Sequence, residues 1–197
     1  MTNATPQRLQ PPHADGMSSR QRAVADAIAG GPRGALRGPL AIWLHRPELA
    51  DRAQSLGLYC RYETLLAPRL SELAILTVAA FWPADYMWRI HAPLAVAAGL
   101  AEATVEEIRT GRSPSFDRAD ETAMHSFATA LQRDRQLSDE AYAQAVTVLG
   151  EAAVVDLVGL IGYYTLVAMT ARTFEATAPG DGGLVFDTAR EEPDRHG

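Results

Sequence analysis

The run Pro83-Ala-Asp-Tyr-Met-Trp-Arg-Ile-His-Ala-Pro93 decides how the chain is read. It holds or adjoins two of the three tryptophans and carries a histidine between two prolines. Ala84, Met87, Trp88 and His91 recur at intervals of three and four, so on a helix they share one face. A small residue, a thioether, an indole and an imidazole on one face describe a small apolar pocket with one titratable group. Pro93 lacks the N–H that a helix would donate to the carbonyl of Arg89, so a kink is expected one turn around His91. Spacing alone leaves two readings of His91: an acid–base group at a pocket, or a core histidine satisfied by its neighbours.

Working outward, the same helix is expected to run to Ala98 and stop at Gly99, a left-handed cap. Pro68 opens the preceding helix, with Leu70, Leu73, Leu76, Thr77 and Ala80 in helical register. Glu72 lies one turn into it. A carboxylate there either reaches His91, fixing its tautomer, or stands exposed beside Arg69. Pro47 opens a helix through Tyr62, whose stripe Leu49, Ala53, Leu56 and Cys60 is read as core-facing. Upstream, Ser18 or Ser19 caps a helix from Arg20 to Ala29, and Gly34 to Pro39 is loop. Downstream come helices over 104–109, from an Asp117 cap to about Arg133, from a Ser138 cap, and from Glu151 to about Ala176. No stretch alternates at period two long enough for a strand, so the fold class is all-α.

Size and composition suit one domain with tails. The 197 residues are 47% hydrophobic and 21% charged, enough to enclose a core. The expected organisation is a tail over 1–17, a single helical domain over 18–178, and a flexible segment over 179–197. A formal charge of −6 gives no electrostatic reason to bind nucleic acid or an anionic membrane. The run Leu157–Ala171 is shorter than the roughly 18 residues of a convincing membrane span, so it is read as a buried helix. That helix is apolar nearly all round, and Gly159 and Gly162 allow close approach of another. A chain of this size has little core to cover it, so a homo-oligomer is expected. One cysteine, Cys60, excludes an internal disulfide and suits a cytoplasmic protein. No metal-ligand spacing, phosphate loop or dinucleotide fingerprint is present, and no cofactor is expected.

Together, Pro68-Arg-Leu-Ser-Glu-Leu-Ala-Ile-Leu76, Tyr86-Met-Trp-Arg-Ile-His91, Ala98-Gly-Leu100 and Gly162-Tyr163-Tyr164 resemble the carboxymuconolactone decarboxylase and alkylhydroperoxidase D-like family. The similarity spans about 47–175. It implies an alkylhydroperoxidase D-like helical bundle assembled as trimers or hexamers. It also implies catalytic roles for Glu72 and His91, which stand at the family's glutamate and histidine. The peroxidase branch carries Cys-x-x-Cys where this chain has Ala84 and Met87. Without a thiolate there is no nucleophile for a peroxide and no disulfide partner, so a thiol peroxidase is disfavoured. The decarboxylase branch carries an acid just before the tryptophan, and this chain has Met87 there.

The expected function is therefore a cofactor-free acid–base enzyme resembling carboxymuconolactone decarboxylases. It would act on a small organic acid, lactone or cyclic ketone by decarboxylation or isomerisation. His91 and Glu72 form the proton relay, and Ala84, Met87, Trp88 and Tyr163 shape the substrate pocket. The alternatives are a peroxidase-like antioxidant protein and a non-catalytic protein that binds a small ligand or serves in assembly.

Overall fold

The computed structural model of the chain describes residues 7–177 and 185–186. Among these, nine α-helices and a short 3₁₀ turn form and no strand does. The helices begin where the side chains can satisfy or dispense with the first N–H groups. Ser18 makes a reciprocal capping box with Gln21 at the start of α1 (Ser19–Gly30). Proline opens α2 (Pro39–Trp43), α3 (Pro47–Tyr62) and α4 (Pro68–Phe81), where a missing N–H costs nothing. Next come α5 (Asp85–Ala97), closed at Gly99 with φ +102°, and α6 (Glu102–Thr110), closed by left-handed Gly111. They are followed by α7 (Ala119–Arg133), α8 (Asp139–Leu149) capped by Ser138, and α9 (Glu151–Thr173). The helix before Arg133 is not capped by Asp117. Arg118 occupies that position, and its side chain makes no cap.

Helix α4 is the centre of the bundle, packed against α5, α7 and α9. Every residue from Leu70 to Ala79 is buried, Ser71, Glu72 and Thr77 among them. Leu73 and Leu76 are fully enclosed, each contributing about 1.5–3 kcal/mol of apolar burial. Arg69 at its start is paired with Asp120 at 2.8 Å and with Glu121, which ties α4 to α7. The alternative pairing of Arg69 with Glu72 is therefore not the one formed.

On α3 the sequence expectation needs correction. Ala50, Ala53, Gly57 and Cys60 face the core, whereas Leu49 and Leu56 are about half exposed. The small residues let α3 lie close to α9, which leaves the leucines outside. Helix α9 is long and apolar enough to cross a membrane by length and composition, and half of it is packed inside the bundle. Its Asp156 is buried but satisfied by the Tyr59 hydroxyl and the Leu65 N–H, the latter at 2.8 Å. Val155, Val158, Gly159, Gly162 and Met169 form an exposed apolar stripe along its other side.

The chain ends are partly tied down. The Arg8 N–H donates to the Phe174 carbonyl at 2.9 Å, and the His45 Nε2 lies 2.8 Å from the Gln10 carbonyl oxygen. The described part of the N-terminal segment, from residue 7 on, is thus anchored instead of loose. Of the expected C-terminal tail only Val185 and Phe186 belong to the described residues. Both donate backbone N–H groups to Asp85 Oδ1, at 2.8 and 3.0 Å. Asp85 thus clamps a segment a hundred residues downstream.

Candidate active site

The α4–α5 pair carries the two expected catalytic groups. His91 sits midway along α5 and Glu72 in the second turn of α4, and the packing of the two helices brings them together. His91 Nδ1 lies 2.7 Å from Glu72 Oε2, and both side chains are buried. A carboxylate only accepts, so Nδ1 carries the hydrogen and donates it. Nε2 is then the nitrogen with a lone pair. Burial pushes the imidazole below its ordinary value of 6.5, Glu72 opposes that shift, and the charges of Arg61 and Arg33 add to it. His91 is consequently neutral near pH 7 with a fixed tautomer, the form a general base requires.

The ring of His91 forms part of the wall of a cavity of about 420 Å³. From α5 the wall takes Met87, Ile90, His91 and Leu94, and from α9 it takes Tyr163, Tyr164 and Val167. Tyr164 meets His91 edge-on with ring centroids 5.2 Å apart, and Tyr163 stands edge-on to Tyr164 at 5.3 Å. Burial raises the pKa of both phenols, so both remain hydrogen donors. The Tyr164 hydroxyl is buried and has no hydrogen-bond partner among the described residues. A buried unpaired hydroxyl beside a general base is suited to meeting developing negative charge on a bound molecule.

The expected pocket residues divide. Met87 and Tyr163 line the cavity. Ala84 and Trp88 do not: Ala84 caps α5 in the core, and Trp88 is buried against Phe186 at 5.2 Å, edge to face. The cavity faces the 87–90–91–94 stripe, so the face with Ala84 and Trp88 turns toward the bundle and the returning C-terminal segment. Glu72 is absent from the wall as well and lies behind the imidazole.

The sequence reading missed the polar side of this cavity. Arg33 and Arg37 from the α1–α2 loop, Arg61 from α3 and Arg89 from α5 all line it, with Tyr86. Two glycines make this arrangement fit. Gly38 has φ +56°, and a Cβ there would lie 2.0 Å from the Tyr86 ring. A Cβ at Gly57 would lie 2.2 Å from the Tyr163 hydroxyl and 2.4 Å from Arg33 Nη2. The only signal in the sequence is two arginines within the glycine-rich stretch Gly30–Gly38, which reads locally as loop.

No thiol lines this cavity. Cys60 is buried on α3, and burial, helped by the charge of Asp156, pushes its thiol up to about 11. It is a protonated packing residue at neutral pH. Among the described residues no three His, Cys, Asp or Glu side chains cluster as a metal would need. A second, more open hollow of about 590 Å³ lies between α4 and α7 and is lined by His125, Phe116, Thr129, Arg112 and Arg133.

No family model matches the chain, and no curated protein does. Solved structures do match in shape. The debrominase Bmp8 in complex with 2,3,4-tribromopyrrole superposes with a TM-score of 0.69 at 14% identity, covering 89% of this chain and 93% of that one. A peroxidase-related protein from Silicibacter sp. TM1040 gives 0.71 at 14% identity, covering 90% and 94%. The alkylhydroperoxidase AhpD core of a peroxidase-related protein from Ralstonia eutropha JMP134 gives 0.71 at 11% identity, covering 87% and 92%. The chain thus has the AhpD-like all-helical fold, which hosts a debrominase and peroxidase-related proteins among these neighbours.

Proposed function

We propose that the hollow beside His91 is the active site of a cofactor-free acid–base enzyme. Its substrate is a small organic acid, lactone or cyclic ketone, and its reaction is isomerisation or decarboxylation. The observation that carries this reading is the 2.7 Å contact between His91 Nδ1 and Glu72 Oε2 behind a ring that faces a cavity. Nε2 of neutral His91 takes a proton from carbon next to a carbonyl, and the electron pair moves into that carbonyl. The imidazolium is held by the Glu72 carboxylate while the Tyr164 hydroxyl donates to the new oxyanion. Returning the proton at a second carbon completes an isomerisation with no other reagent. In a decarboxylation the electron pair of the breaking C–C bond enters the carbonyl as CO₂ leaves, and the product carbon then takes one proton supplied by solvent and passed on through His91. Met87 and Tyr163 shape the apolar wall.

A peroxidase-like alternative draws on the neighbours with that description. It is disfavoured because the single cysteine is buried, protonated and outside the cavity wall. The exposed stripe on α9, continuous with half-exposed Tyr59 and exposed Leu65, supports a homo-oligomer, with a trimer or hexamer implied by the family resemblance. Light scattering that finds a monomer at micromolar concentration removes that part of the proposal.

The activity is tested by NMR in D₂O with a panel of β-keto acids, lactones and cyclic ketones. Deuterium uptake at carbon or loss of CO₂ is expected with the wild-type protein and not with His91→Ala. Equal rates for the two proteins reject the assignment.

A further inference from the structure

Of the 18 basic residues, all arginine, four line one cavity, although the chain as a whole carries a formal charge of −6. Among the described residues no carboxylate shares that wall: Glu72 is screened from it by the His91 ring. Three of the four, Arg33, Arg37 and Arg61, make no ion pair with any described carboxylate, whereas Arg20, Arg69, Arg109, Arg118 and Arg133 all do. A group of guanidinium charges gathered around a hollow repels itself unless a negative charge is brought in.

Two of these arginines have a tyrosine to rest on. Arg33 Nη2 donates to the Tyr163 hydroxyl at 3.4 Å, while its Nε is buried without a partner among the described residues. Arg61 lies over the ring of Tyr62, 5.4 Å from its centroid. The absence of a side chain at Gly57 lets Arg33 and Tyr163 meet on the surface of α3. Tyr164, 3% exposed, adds its own unpartnered hydroxyl on the same wall. Both Arg33 and Arg61 also act electrostatically on His91 and Tyr164, opposing the rise of the tyrosine and adding to the fall of the histidine.

We propose that Arg33, Arg37 and Arg61 form an anion subsite, and that the molecule bound beside His91 is a flat, unsaturated organic carboxylate. The inference rests on the acid–base reading for what happens at His91, but not for binding. It narrows the substrate: neutral lactones and ketones are poor ligands, and the recognised carboxylate is one that stays on the molecule during reaction. The carboxylate takes paired N–H donors from the guanidinium forks, and the planar body lies among Tyr86, Tyr163 and Tyr164. The reacting carbon then reaches the His91 end of the cavity. Two of the three arginines come from outside the segment 47–175 that carries the family resemblance. Selectivity is thus supplied by the α1–α2 loop and the chemistry by the bundle.

The test is binding by NMR titration of the full-length protein with benzoate, phenyl phosphate and benzamide as probes. Benzoate is expected to bind about tenfold or more tighter than its neutral isostere benzamide, and to weaken as salt rises. Arg33→Gln and Arg61→Gln should each lower benzoate affinity about tenfold and leave benzamide unchanged. Benzamide binding as well as benzoate overturns the subsite, as do arginine variants that keep full benzoate affinity. Phenyl phosphate binding more tightly than benzoate overturns the carboxylate assignment. The salt and isostere comparisons need no variant, so a misfolded substitution does not shelter the proposal. His91→Ala should still bind benzoate, which separates failure of this subsite from failure of the catalytic reading.

Discussion

Two histidines stand at two hollows in this molecule, and the contrast between them sets the proposed site apart from a plain hollow. His91 and His125 both have an imidazole whose pKa burial lowers, and each lines a cavity large enough for a small molecule. His125 faces the tilted ring of Phe116 at 5.3 Å and has no carboxylate behind it among the described residues. Burial is the sole cause of its shift. His91 has Glu72 bonded to Nδ1, a buried hydroxyl nearby and guanidinium groups across the hollow. Concavity and a perturbed imidazole are common to both. The difference is a second group that fixes the tautomer and holds the charge once a proton arrives.

Four measurements test that contrast. The largest effect is expected from His91→Ala, which should cut proton exchange at carbon by about 10²–10⁴-fold, while His125→Ala leaves it unchanged. Similar losses in both variants would erase the distinction. Next comes Glu72→Gln, with a fall of about ten- to a hundredfold in the same assay. Glu72 raises the His91 pKa, so its removal should also move the ring's titration, followed by its NMR shifts, to still lower pH. An upward move would contradict the assigned pairing.

A smaller effect concerns stability. Both imidazoles titrate below 6.5 in the folded chain, so as pH falls past that value the unfolded chain takes up protons first. Stability is therefore full above pH 6.5 and declines below it. Thermal melts from pH 8 to pH 5 should show the decline, and His91→Gln with His125→Gln should flatten it. The smallest effect comes from giving His125 what it lacks. Thr129 is four residues along α7 and lines the same hollow, so Thr129→Glu should raise the His125 titration measurably. It should create no exchange activity, since the buried hydroxyl of that hollow, on Thr77, is already donated to the Leu73 carbonyl.

What the sequence made legible was whatever local rules govern. Pro47, Pro68, Ser18, Ser138, Gly99 and Gly111 mark helix ends through their own backbone chemistry, and the structure has the ends there. The Glu72–His91 pairing could be drawn from the resemblance, and the geometry has it. The facing of α3 was not legible, because Leu49 and Leu56 obey the same spacing as Ala53 and Cys60, and only close approach to α9 selects the small residues. Ala84 and Trp88 failed as wall residues for a like reason: a helix face can be named from spacing, but not what lies opposite it. Arg33 and Arg37 were invisible, since a loop's destination depends on glycines at 38 and 57 that matter only after the helices have assembled.

The anchorage of Val185 and Phe186 on Asp85 has a practical consequence for anyone who trims this protein. A chain cut after residue 177 would strip the aromatic cover from Trp88 and leave the Asp85 carboxylate without its two amide donors, at the first turn of the helix that carries His91. Its indole emission should shift to the red, and on the proposed function the exchange rate at carbon would fall although no residue of the cavity wall had been touched.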